Sequence, residues 1–131
     1  MEILTIPTKS HTEIVDVTAR IQDAVRKSGV DEGICLLYVP HTTCAVTVNE
    51  NWDSDVKRDI LSKLGRLVPW EDGYRHSEGN SAAHMKTLFT GVSLTLIIHE
   101  GKLFLGTWQG IYFTEYDGPR ERKLAVKCIS C

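Results

Sequence analysis

The sequence predicts an α+β chain, a mainly antiparallel β-sandwich of about seven strands with two main helices. Three observations lead there. Residues 42–49 and 92–98 alternate apolar and polar side chains, the period of a half-buried strand. Two segments, near Thr18 and Asp53, repeat apolar residues at helical spacing and meet a glycine. From Gly91 onward, β-like runs are punctuated by turn signals at Glu100-Gly101 and Asp117-Gly118-Pro119.

Each element follows from local chemistry. Residues 3–6 and 13–17 are short β-rich runs separated by Thr8-Lys9-Ser10, and this spacing predicts a hairpin. Thr18 is suited to cap a helix whose face is Val17, Ile21, Ala24 and Val25, with Gly29 as its stop. Residues 33–39 form an apolar strand ended by Pro40. In the next strand Cys44, Val46 and Val48 share one face. Asp53 caps a second helix with Trp52, Val56, Ile60, Leu61 and Leu64 on its apolar face, ended by Gly65. Residues 69–80 read as a long loop, and 81–89 as a short helix with Asn80 at its N-cap. Residues 103–116 read as one long strand bent near Gly106 or Gly110, and 122–129 as the last strand.

Composition limits the function classes. The 131 residues can bury about two thirds of their unfolded surface, enough for one core and a single domain over 1–131. A 42% hydrophobic and 24% charged content excludes a disordered chain. With 15 basic and 17 acidic residues there is no global excess to hold a nucleic-acid backbone, although Arg120, Arg122 and Lys123 form a local basic patch. No apolar run approaches the roughly 18 residues of a membrane span. No basic segment followed by an apolar stretch opens the chain, so a cytoplasmic protein without nucleic-acid or membrane partners is expected. Structural disulfides are then not expected. Cys128 and Cys131 are too far apart along a strand to bridge, and read as one packed thiol and one on the tail.

Polar residues cluster at element ends. His41 follows Pro40 at a joint between strands, and Asn49-Glu50-Asn51 closes the second of them. The long loop and short helix supply His76, Glu78, Asn80 and His84. His41, His76 and His84 are either separate hydrogen-bonded residues or a three-imidazole site, which suits zinc and leaves one position open. His11 and His99 lie near turns and carry no such implication. In Leu105-Gly106-Thr107-Trp108-Gln109-Gly110, two glycines let a ligand approach the backbone. By parity Gln109 and Glu115 lie on one face, as a buried hydrogen-bond network or a polar site lining. Trp108 is core or a stacking platform for a flat ring. Arg120 is a solvated charge or a bidentate clamp on phosphate.

Taken together and in order, His41-Thr42-Thr43, Asn49-Glu50-Asn51, Leu67-Val68-Pro69, Tyr74, His76, Glu78-Gly79-Asn80, Ala83-His84, Leu105-Gly106-Thr107-Trp108-Gln109-Gly110 and Glu115-Tyr116-Asp117-Gly118-Pro119-Arg120 resemble the YjbQ-like family across essentially the whole chain. The resemblance implies a sandwich fold, a homotrimer, and a polar pocket near subunit boundaries with metal in some members. On that pattern His41, His76 and His84 are the metal ligands, and Glu50, Asn80, Gln109 and Glu115 the catalytic polar residues. Trp108 and Arg120 would bind substrate. The family's Gly-Asn-Ser-Asp-Ala-His reads Gly79-Asn80-Ser81-Ala82-Ala83-His84 here, so the carboxylate at position 82 is missing.

The resemblance also implies a secondary thiamine-phosphate synthase activity, joining a pyrimidine diphosphate to a thiazole phosphate. That reaction calls for magnesium and oxygen ligands, which imidazoles do not supply. The alternatives are a zinc-assisted hydrolase or lyase acting on a small phosphorylated or heterocyclic substrate, and a non-enzymatic trimer that binds metal or ligand.

Overall fold

A computed structural model describes residues 1–131. It contains β1 (Glu2–Pro7), β2 (Glu13–Asp16), α1 (Thr18–Ser28), β3 (Gly33–Tyr38), β4 (Cys44–Glu50), α2 (Ser54–Leu67), α3 (Ser81–Thr90), β5 (Ser93–His99), β6 (Lys102–Leu103), β7 (Gln109–Glu115) and β8 (Glu121–Ser130). The strands form two antiparallel sheets, β1-β8-β3-β5-β6 and β2-β7-β4. The α+β sandwich expected from sequence is therefore present, with eight strands and three helices.

The sheets face each other across one core. Leu37, Ile98, Leu124 and Val126 come from the larger sheet, and Cys44, Val46, Ile111 and Phe113 from the smaller. Helix α1 adds Ile21, Ala24 and Val25 to the same core. The outer face of the smaller sheet is covered instead by α2 and α3, where Ala45 and Tyr116 pack against Ala83, Leu64 and Trp70.

Several local expectations are corrected. Residues 3–6 and 13–17 make no hairpin: β1 pairs with β8 and β2 with β7, in different sheets. Thr18 does not cap α1, because Val17 occupies the cap position. Asp16 Oδ1 accepts the Thr18 N–H at 2.9 Å, and Thr18 Oγ1 accepts from the Ile111 N–H at 2.9 Å. Asp53 does cap α2, accepting from the Asp55 N–H at 2.9 Å, but the helix runs through Gly65 to Leu67. The long strand over 103–116 is two, since residues 104–108 form a loop between β6 and β7. The turn at Glu100-Gly101 is present, with φ of 50° and 73°.

The glycines around Trp108 admit the chain itself rather than a ligand. A Cβ on Gly110 would sit 2.5 Å from the Asn51 side chain, and one on Gly106 would sit 3.3 Å from Gln109 Oε1.

Candidate functional site

Four separate segments meet at one end of the smaller sheet. Pro40 lies just past the end of β3, where it cannot continue the ladder, and the link to β4 carries His41. The loop after α2 brings His76 and Glu78. The first turn of α3 brings His84, and the turn between β7 and β8 brings Arg120. Together with Asn80, Thr43 and Arg122 they line a cavity of about 500 Å³ whose walls carry no apolar side chain except Pro40.

Beneath the cavity lies a buried ion pair. Glu115 is fully buried at the end of β7, and Arg122 on β8 is 4% exposed. Arg122 Nε donates to Glu115 Oε1 at 2.8 Å, and its Nη2 donates to Glu115 Oε2 and to Thr43 Oγ1. Thr8 Oγ1 and the Asp117 N–H complete the carboxylate's set of donors at 2.7 and 3.1 Å. Burial by itself would raise the Glu115 carboxyl. Arg122, Thr8 and the Asp117 amide outweigh it and hold the group below its ordinary value. Gly118 makes this possible, since a Cβ there would lie 2.8 Å from Glu115 Cγ and 2.4 Å from the Ser10 carbonyl.

Arg120 and Asn80 are tied to Asp117. Arg120 Nη2 and Asn80 Nδ2 both donate to Asp117 Oδ2, at 3.0 and 2.9 Å. Asn80 is therefore at the head of α3 without capping it, and its buried Oδ1 has no partner.

The three histidines differ. His76 and His84 stand edge to face with ring centroids 5.6 Å apart, and Glu78 Oε2 lies 4.0 Å from His76 Nε2. His41 Nε2 instead accepts the Lys123 backbone N–H at 2.9 Å. A neutral imidazole has one acceptor nitrogen, so the proton sits on Nδ1. Burial, then the Arg122 charge, lowers the His41 pKa and favours this neutral form.

That assignment bears on the metal. A catalytic zinc needs three protein lone pairs. His41 has spent its own on the backbone, which leaves a pair of imidazoles. No group of three or more His, Cys, Asp or Glu side chains stands close enough to hold a metal ion. Ala82 is fully buried in the first turn of α3 and supplies no ligand. The residues of one chain do not fit the three-imidazole zinc set.

The remaining sequence candidates lie elsewhere. Glu50 and Gln109 are register partners at the opposite end of the smaller sheet from Glu115 and Cys44. Six residue steps along β7 separate the two ends, roughly 20 Å. There Gln109 Oε1 accepts the Gly106 N–H and Glu50 Oε2 the Trp52 N–H. Trp108 is 55% exposed and meets Trp52 edge to face at 5.6 Å. It is neither core nor within reach of the histidine cavity.

Two participants were not singled out from sequence. Arg122 belongs to the local basic patch of the sequence, yet its parity matches that of Leu124 and Val126, which face the core. His11, set aside as a turn residue, stands 3.7 Å from Asp117 Oδ1 and packs on Trp70.

The match to known proteins agrees with this layout of motifs. The family model described as UPF0047 protein YjbQ-like matches residues 2–131. The chain belongs to the YjbQ/UPF0047 family. A UPF0047 protein of Methanocaldococcus jannaschii is 50% identical over 124 residues, 95% of this chain and 90% of that protein. YugU of Bacillus subtilis is 45% identical over 130 residues, 98% of each chain. A solved YjbQ/UPF0047 protein of Clostridium acetobutylicum superposes with a TM-score of 0.97 at 48% identity, covering 98% of this chain and all of that one. A protein of unknown function from Sulfolobus solfataricus reaches 0.95 at 34% identity, covering 99% and 96%.

Proposed function

We propose that this YjbQ-family chain binds a phosphorylated small molecule in the histidine cavity and acts on it by acid–base chemistry. The observation that carries the reading is the character of the cavity wall. The Glu115 carboxylate beneath it is saturated by its own donors, and on the wall itself Glu78 is the one carboxylate beside two arginines and three histidines. Arg120 can bind phosphate oxygens through the part of its fork not held by Asp117. Arg122 keeps Nη1 uncommitted, and the Nδ1–H of His41 is a further donor. His76 and His84, unlike His41, have no backbone bond fixing their ring nitrogens, and an imidazole is the side chain most often used as a general acid or base. A phosphate ester bound against the arginines would have both imidazoles beside it.

Thiamine-phosphate synthase is the narrower version of this reading. The cavity supplies the diphosphate end of that reaction. The stacking surface for a pyrimidine is absent from it, since Trp108 lies at the far end of the sheet. A zinc-assisted hydrolase, or a trimer that only binds metal, rests on the His76–His84 pair and needs a ligand from outside the chain. The homotrimer belongs to the proposal too. It is supported by α2, which has no buried residue, and by exposed Trp52, Leu88 and Phe89.

The test is a calorimetric titration with inorganic phosphate and pyrophosphate, followed by zinc, on wild type and Arg120→Ala. Saturable phosphate or pyrophosphate binding that weakens about tenfold or more in the variant supports the reading, the loss of one charged hydrogen-bond donor. Stoichiometric zinc binding with no anion binding would overturn it in favour of the metal reading.

A further inference from the structure

Outside the cavity, the larger sheet holds a pair of thiols. Cys35 on β3 and Cys128 on β8 are directly opposite register partners. The type of pairing can be read from the ladder. The Cys131 N–H donates to the Glu32 carbonyl at 3.1 Å, and that pair lies three steps along from Cys35 and Cys128. Hydrogen-bonded and non-hydrogen-bonded pairs alternate, so Cys35 and Cys128 form a non-hydrogen-bonded pair. Such pairs have Cα atoms about 4.5 Å apart and the closer side chains, inside the roughly 4.4–6.8 Å that a disulfide spans. Both cysteines are free.

We infer that Cys35 and Cys128 form a peroxide-oxidisable dithiol, with Cys128 the thiol that reacts with peroxide and Cys35 the resolving one. Access sets the roles. Cys35 is fully buried in the core, whereas Cys128 is half-buried and lines a cavity of about 360 Å³ on the opposite side from the histidines. Lys27 lies on the wall of that cavity, with Glu2 3.7 Å from its ammonium. Burial, and then the neighbouring Cys128, push the Cys35 thiol up to about 12, so its proton stays in place until the second step.

The chemistry balances with hydrogen peroxide as oxidant. The Cys128 thiolate attacks one peroxide oxygen and the O–O bond breaks. A sulfenic acid forms and the leaving hydroxide takes a proton to become water. Cys35 sulfur then attacks Cys128 sulfur and the S–O bond breaks. The departing hydroxide leaves as water with the Cys35 proton. Two thiols are oxidised, one peroxide is reduced, and two waters are released. Cys44, buried without a partner thiol, and Cys131, exposed at the terminus, have no such route.

The experiment treats the full chain with hydrogen peroxide, then alkylates and reads intact mass and non-reducing peptide maps. Wild type and Cys131→Ser should each lose two hydrogens, show a Cys35–Cys128 linked peptide, and recover both thiols with dithiothreitol. Cys128→Ser, at a half-buried position, should keep its fold and form no internal link. A Cys128–Cys131 link, oxidation of Cys128 to sulfinic acid alone, or four alkylatable thiols after treatment would each overturn the proposal.

Discussion

The two ends of the smaller sheet contrast in how they hold polar groups. At the Glu115 end, polar side chains from β7, β8, the β3–β4 link, the head of α3 and the segment after β1 interlock, with partners up to 112 residues apart. At the Gln109 end, each polar side chain is satisfied inside its own loop, three residues away or fewer, except where Tyr112 donates to Asn51 and Glu50. The first end is a polar cluster preorganised within a single chain. The second is an exposed aromatic edge whose polar groups are satisfied locally. Residues that look alike as motifs therefore differ in what the fold asks of them.

The largest expected effect tests the interlocked end. Glu115→Gln leaves Arg122 buried without a counter-charge, and removing one member of a buried pair costs about 3–5 kcal/mol. Urea denaturation measures it, and a loss under about 1 kcal/mol would show the pair to be dispensable. The pH dependence has a definite sign. Glu115 is held below its ordinary value of 4.5 in the folded state. Its contribution is complete above 4.5 and is lost as pH falls through the lower folded value. Glu115→Gln should flatten that acid limb.

The second prediction separates the ends by ligand. Arg120→Ala should weaken phosphate binding roughly tenfold to a hundredfold, as expected for a charged hydrogen bond worth about 1.5–3 kcal/mol. Trp108→Ala and Gln109→Ala, roughly 20 Å away along the sheet, should leave it unchanged within about twofold. A matching loss in Trp108→Ala would join the two ends, and only a second copy of the chain could do that.

How much of this was legible follows the same division. Strand parity put Cys44, Val46 and Val48 on one face, which turns to the core, and Asp53 announced α2, because both signals are local. The segment after His41 and the loop to His84 were visible as polar clusters. The pairing of β1 with β8 was not, because ladder partners up to 124 residues apart leave no mark on the short spacing between β1 and β2. The Glu115–Arg122 pair was hidden for a related reason. It spans a turn between two sheets, and an arginine next to Arg120 and Lys123 looks like solvated charge until its strand is seen to face inward. The role of His41 was illegible too, since only register with β8 brings the Lys123 N–H to its ring.

That bond gives the third prediction. His41→Ala leaves the Lys123 N–H without its partner, at a cost of about 1–3 kcal/mol. In the wild type, nitrogen chemical shifts of His41 should report the Nδ1–H tautomer at pH 7. Its folded pKa lies below the ordinary 6.5. The stability it contributes is therefore present above 6.5 and lost as pH falls through the folded value. A ring carrying its proton on Nε2 would return His41 to the pool of metal ligands.

The smallest effect belongs to the loop-satisfied end, where α2 begins beside Trp52. Asp53 Oδ1 accepts from the Asp55 N–H, one of the four N–H groups that a helix start leaves open. Asp53→Ala should cost about 1 kcal/mol in thermal or urea unfolding. It should leave phosphate binding untouched, because Asp53 follows Glu50 at the end of the smaller sheet opposite the cavity, roughly 20 Å away. A loss as large as that of Glu115→Gln would mean that this end is as tightly coupled to the rest of the fold as the other, and the contrast between the two would fail.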